Sequence, residues 1–163
     1  MTRRVFYSFE YKPDNWRVSQ VRNIGAIEAN APATDNDWET VTKGEDPAIQ
    51  KWIAEQMKGR TCTVVLVGET TAGRKWIDYE IIESWKKGMG VVGVCIHGLK
   101  NNDSQQCACG KNPFEHLTLA GKKFSSIVKF YNSPYKSSAD VYKHIASNLA
   151  NWIEEAIKIR AEN

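Results

Sequence analysis

Short runs rich in β-branched residues alternate along this chain with stretches whose apolar positions recur every three or four residues. Period-2 and continuous apolar runs mark strands, and the longer period marks amphipathic helices. Arg3–Phe9 predicts a first strand, and a helix is expected from Pro13 or Asp14, where proline supplies the fixed φ of a first turn. "DWETV" (Asp37–Val41) predicts a short edge strand after the loop "ANAPATDND". The next helix has Asp46 as expected N-cap, Pro47 at its first position, Ile49, Trp52, Ile53 and Met57 on one face, and Gly59 as its stop. "TCTVVLVG" and "GVVGVCIHG" are near-continuous apolar runs, the pattern of central strands covered on both faces. Between them a helix runs through Trp85. "SSIVKFYN" predicts the last strand, and Ser138–Arg160 a long helix with Val141, Ile145, Leu149, Trp152, Ile153 and Ile157 inward.

Strands alternating with helices in this order predict an α/β, flavodoxin-like three-layer sandwich with a five-stranded parallel sheet ordered 2-1-3-4-5. A single domain over 1–163 is expected, with no repeat or linker in sight. Ligands of such sheets bind at the C-terminal strand ends, where strand order reverses. Here those ends are Ser8–Tyr11, Gly68–Arg74 and the chain from His97 onward. The twenty-five residues of "LKNNDSQQCACGKNPFEHLTLAGKK" that follow the fourth strand are too long for a plain connection, which points to a functional or mobile segment.

Composition narrows the partners. The 22 basic and 19 acidic residues give a net charge of +3, and the basic ones are scattered, so no nucleic-acid stripe is expected. The apolar run that starts in "MTRRVFYSF" is broken by Ser8 and by the Glu10 that follows, and it does not read as a signal peptide. The longest later apolar run, Val91–Ile96, is too short to span a bilayer, so no membrane partner and a cytoplasmic location are expected. Cys62 and Cys95 fall inside strand-like runs, where reduced cysteine behaves as a small hydrophobe, and free thiols follow as the expectation.

Several familiar chemistries fail on residue type. "SFEYKPDN" after the first strand has no glycine to let a backbone approach phosphate, which excludes the P-loop and GxGxxG readings. A phospho-acceptor receiver needs an aspartate at the end of the third strand, where this chain has Gly68 and Glu69. Cys107, Cys109, His116 and His97 could be assembled into a zinc site on paper. The "CACG" spacing leaves one residue between thiols instead of two to four, so a loop with two exposed thiols is the simpler reading and no metal is expected. His144 has no partner in view and reads as structural or solvated.

The helix through Trp85 carries the chemistry. At about 100° per residue, Ile77, Ile81 and Trp85 form its core ridge, with Trp76, Glu80, Glu83 and Lys87 on the flank. Acids on a helix ordinarily have a cation three or four residues away. Glu83 finds one in Lys87 and Asp78 in Arg74. Glu80 has only Trp76, Ile77, Glu83 and Ser84 at those spacings. A carboxylate against an aromatic ring and near a like charge is expected to hold its proton more tightly, as catalytic acids and bases do.

"RRVFYSF" resembles the opening strand of Toll/interleukin-1 receptor (TIR) domains, and "RKWIDYE" resembles their third-helix motif, in which a Trp precedes the catalytic Glu by four residues. The closer similarity is to the TIR-like family that includes the sensor enzymes of bacterial Thoeris anti-phage systems, supported by "DWETV", "GVCIHGLK" and "GKNPF". That resemblance implies cleavage of NAD+ at the nicotinamide–ribose bond and production of a cyclic ADP-ribose isomer that activates a separate effector protein. It implies Glu80 as catalytic residue and NAD+ as substrate, with no further cofactor. Ser8, Phe9, Tyr11, Arg74 and Trp76 would bind it. Phe6 reads as core by alternation. Arg74, near a helix N-terminus, suits a pyrophosphate, while its simpler role is a pair with Asp78. Trp76 could stack on a ring or wall the glutamate. A non-catalytic TIR-like interaction scaffold is the alternative function, and assembly of copies on activation stays open.

Overall fold

The structure is a computed structural model that describes residues 3–24 and 43–163. Four parallel strands form its sheet: β1 (Val5–Ser8), β2 (Cys62–Val67), β3 (Gly90–Cys95) and, after a short hairpin of β4 (Thr118–Leu119) and β5 (Lys122–Lys123), β6 (Lys129–Tyr131). The order is β1-β2-β3-β6, with registers such as Val5 opposite Cys62, Cys62 opposite Gly90 and Gly93 opposite Phe130. This reproduces the 1-3-4-5 part of the expected order. The predicted edge strand Asp37–Val41 lies outside the described residues.

Every residue of β2 and β3 is buried, as continuous apolar strands require when both sheet faces are covered. One face is covered by α1 (Tyr11–Arg22) and α4 (Ser138–Glu162), whose Val18, Val21, Ile145 and Leu149 meet Val64, Leu66, Val92 and Val94. The other is covered by α3 (Lys75–Lys86), where Ile77 and Ile81 pack with Val65, Val67, Phe114 and Phe124. A third cluster sets α2 (Asp46–Met57) against Phe6 and Met89. Gly90 lets α4 lie close against the sheet: a Cβ there would stand 2.7 Å from the α4 backbone at Ala156 and Ile157.

The structure shifts some boundaries. Helix α1 begins at Tyr11, two residues before Pro13, and α2 has Glu45 as its N-cap with Asp46 as its first helical residue. Gly59 does follow α2 in the left-handed conformation, at φ 77°. Of the segment "SSIVKFYN", Lys129–Tyr131 form β6, while Ser125 and Ser126 close a 3-10 turn that starts at Phe124. The long connection after β3 carries the β4–β5 hairpin, turned by Ala120 and Gly121 at φ 51° and 78°, the tight geometry that matches strand twist. All four cysteines are free thiols. No helix among the described residues is long and apolar enough to cross a membrane.

Candidate active site

At the C-terminal ends of β1 and β2 the chain leaves a cavity of about 310 Å³, lined by Phe9, Glu10 and Tyr11 after β1 and by Arg74, Lys75, Trp76, Ile77 and Glu80 of the α3 start. Five of the six expected site residues, Phe9, Tyr11, Arg74, Trp76 and Glu80, meet there. The sixth, Ser8, stands behind them: fully buried at the end of β1, its Oγ donates to Glu80 Oε1 at 3.4 Å.

Helix α3 places Glu80 five residues after its first, about 8 Å along the axis, with the side chain turned to β1. The turn below it is fixed by polar contacts. Ser84 Oγ donates to the Glu80 carbonyl at 2.6 Å and shares a 2.6 Å hydrogen bond with Thr63 of β2. Glu80 is 5% exposed. Burial pushes its carboxyl well above the ordinary carboxylate range, and the Ser8 hydroxyl opposes this in part. The upward direction matches the sequence expectation, yet its cause is desolvation; Glu83 plays no part in it. Among the described residues no cation forms an ion pair with Glu80.

The neighbouring charges are arranged differently from the helical arithmetic. Arg74 pairs with Glu10, whose carboxylate also accepts from the Thr70 hydroxyl. Asp78 is bound through both oxygens by His116 Nε2 at 2.9 Å, and Glu83 is bridged by Lys86 at 3.7 Å, so neither expected helical pair, Arg74–Asp78 or Glu83–Lys87, is the one formed. Trp76 is half-buried. It packs edge-on against Tyr79 at 5.5 Å, carries the Lys75 ammonium over its ring at 4.9 Å, and joins the Phe6 cluster. Phe6 itself is core. Phe9 and Tyr11 meet in a tilted ring pair at 5.1 Å across the mouth. Glu10, Lys75 and Ile77 were missed by the sequence reading, although each is adjacent to a residue that it named.

A second cavity, of about 450 Å³, lies beyond Thr70 between α1 and the loop after β3. Its wall holds the buried pair Asp14–Arg17, at 3.0 Å, and Arg17 also donates to the carbonyls of Leu99 and Gln105 at 2.9 Å, tying that loop to α1. Of the four residues of the paper zinc set, His116 is committed to Asp78, the Cys107 N–H donates to the His97 carbonyl at 3.0 Å, and His97 and Cys109 bring donor atoms within 4.8 Å of each other and of Cys95.

Residues 6–101 match the family described as "Thoeris protein ThsB, TIR-like domain". The chain belongs to the ThsB family of TIR-like domains. A curated relative is ThsB1 of Bacillus cereus strain MSX-D12, a proposed cyclic ADP-D-ribose synthase by its name, 34% identical over 131 residues that span 77% of this chain and 67% of the relative. The ThsB match covers β1 from Phe6, α1, α2, β2, α3 and β3, and with them all the residues that line the first cavity. The hairpin, β6 and α4 follow it.

Proposed function

We propose that this ThsB-family chain cleaves NAD+ at the nicotinamide–ribose bond and closes the ADP-ribosyl group into a cyclic isomer that signals to a separate effector. The observation that carries the reading is Glu80: a buried carboxylic acid with no ion-pair partner among the described residues, held by Ser8 at the wall of a cavity of ligand size. The name of the Bacillus cereus relative supports the product class.

The chemistry follows from charge. Nicotinamide leaves NAD+ as a neutral molecule, so its departure needs no proton donor, and the barrier lies in the oxocarbenium-like ribosyl centre left behind. In the free protein burial favours the protonated form of Glu80. Docking a cationic nicotinamide riboside beside it favours the anion, because an opposite charge within a few ångströms lowers a carboxyl's proton affinity. The anion then hydrogen-bonds the ribose hydroxyls, stabilises the developing cation, and accepts the proton of the ligand hydroxyl that attacks. The balance is NAD+ to cyclic ADP-ribose, nicotinamide and one proton. Water attack would give linear ADP-ribose, so the apolar wall of Phe9, Trp76 and Ile77 serves to exclude it. Tyr11 and Trp76 offer faces for ring stacking. Arg74 would take the pyrophosphate by exchanging Glu10 for phosphate oxygens.

The test is NAD+ consumption by the purified chain, supplied with lysate of phage-challenged cells where activation is required. Wild type consumes NAD+ and Glu80→Gln does not, while both keep the same circular dichroism. A scaffold that assembles through its surface would leave NAD+ untouched in both.

A further inference from the structure

We propose that Cys95, His97 and Cys109 form a binding site for a thiophilic divalent metal, with zinc as its first candidate, at the C-terminal end of β3. One donor atom from each of the three residues lies within 4.8 Å of the others. In a tetrahedral site with Zn–S bonds of about 2.3 Å, donors stand about 3.5–3.8 Å apart, so closure asks for movements of about 1 Å or less. Thiolate and imidazole are the donors zinc prefers, and the set leaves a fourth position free for water or an external ligand.

The fold builds the cluster from two directions. Cys95 ends β3 and His97 follows two residues later, so the strand's alternation sends both to one side while Ile96 enters the opposite core. Cys109 is returned to them by the loop. The Cys107 N–H donates to the His97 carbonyl at 3.0 Å, and Gly110 lies so close to the end of β2 that a Cβ would be 2.0 Å from the Gly68 carbonyl oxygen. Two further observations favour a ligand over mere proximity. His97 Nδ1 is buried with no hydrogen-bond partner among the described residues, an arrangement that a metal bond at that nitrogen would complete and a Cys95–Cys109 disulfide would leave as it is. Asn132 Nδ2 stands 3.6 Å from Cys109 Sγ as a donor, the outer contact that orients a thiolate ligand. Cys95 is buried, His97 half-buried and Cys109 exposed, so an ion can enter from solvent.

The set escapes spacing rules because its ligands follow C-x-H and then a loop, whereas Cys107, its neighbour in "CACG", is not part of it. Binding would fasten residues 97–110 to the sheet, and those residues form one wall of the second cavity.

The test uses the full chain, reduced and stripped with chelator, titrated with Zn2+ against a chromogenic chelator and separately with Co2+. Expected are one metal per chain, a thiolate-to-cobalt charge-transfer band, and slower amide exchange across 97–110 on zinc addition. Cys109→Ser and His97→Gln should each weaken zinc binding at least about tenfold, given that loss of an outer-sphere contact alone costs about 10–100-fold. Cys107→Ser should bind as wild type. Cys109 is exposed, so its variant keeps the fold. Binding of less than one ion, absence of the charge-transfer band, or equal weakening by Cys107→Ser and Cys109→Ser would overturn the assignment, as would a Cys95–Cys109 disulfide in protein that takes up no metal after reduction.

Discussion

Replacing Glu80 with glutamine should make the protein more stable while it removes the proposed activity. The side chain is 5% exposed, is met by one long hydrogen bond of 3.4 Å from Ser8, and has no ion-pair partner among the described residues. Its proton is held more tightly in the folded protein than in the unfolded chain, whose value lies near 4.5. The stabilisation linked to that proton is complete below the unfolded value and is lost as pH rises toward the folded one. Each pH unit in that window removes up to about 1.4 kcal/mol from the wild type and nothing from Glu80→Gln, which carries no proton to lose. Glutamine keeps the shape and can still accept from Ser8. At neutral pH the variant should therefore gain about 1–3 kcal/mol, the range for relieving an uncompensated buried polar group. In a chain of this size 1 kcal/mol moves Tm by about 2–4 °C. Thermal melts of both proteins from about pH 5 to about pH 8 should show curves that diverge with rising pH. A variant less stable than wild type at neutral pH, or a difference that stays flat with pH, would refute the reasoning from burial.

Ser8→Ala removes the hydrogen bond that opposes the rise in Glu80's proton affinity; at 3.4 Å that bond is worth about 0.5–1 kcal/mol, so the acidic limb of the NAD+ cleavage profile, where Glu80 must lose its proton to act, should move upward by a few tenths of a pH unit. Arg74→Ala should raise KM for NAD+ about tenfold and change kcat less, since a charge-assisted contact to pyrophosphate acts in ground and transition states alike; steady-state kinetics separates the two. Gly90→Ala drives a methyl to within 2.7 Å of the α4 backbone, which cannot yield as a side-chain tip would, and should cost about 1–3 kcal/mol in urea denaturation. His116→Ala breaks an exposed pair with Asp78 and should change stability by less than about 1 kcal/mol, with NAD+ turnover unaltered.

The strands and helices that build the core were legible because their signals are long and consistent: six buried residues in each of β2 and β3, and an apolar stripe that runs the length of α4. The β4–β5 hairpin was not, since two exposed or half-exposed residues per strand carry no period to read. Glu80 stood out because helical spacing can show the absence of a local cation, and burial then kept distant ones away. The same spacing misplaced Arg74. Its partner, Glu10, arrives from the end of β1, and Asp78 is claimed by His116 from the loop after β3. Such partners are set by which strand ends lie side by side, a relation that i±4 counting does not contain. The cysteine–histidine cluster was half legible for a related reason: His97 and Cys109 were in the zinc set drawn on paper, but Cys95 read as a strand hydrophobe, and the loop that returns Cys109 to that strand end follows a path that depends on the glycine at 110.

In the proposed reaction Glu80 directs the ADP-ribosyl group of NAD+ to an internal hydroxyl. Mass spectrometry of the products formed from NAD+ by wild type and by Glu80→Gln tests it most directly. Wild type should yield free nicotinamide and an ADP-ribose species lighter than linear ADP-ribose by one water, and the variant should leave NAD+ unchanged. Equal product from both proteins, or only linear ADP-ribose from wild type, would contradict it.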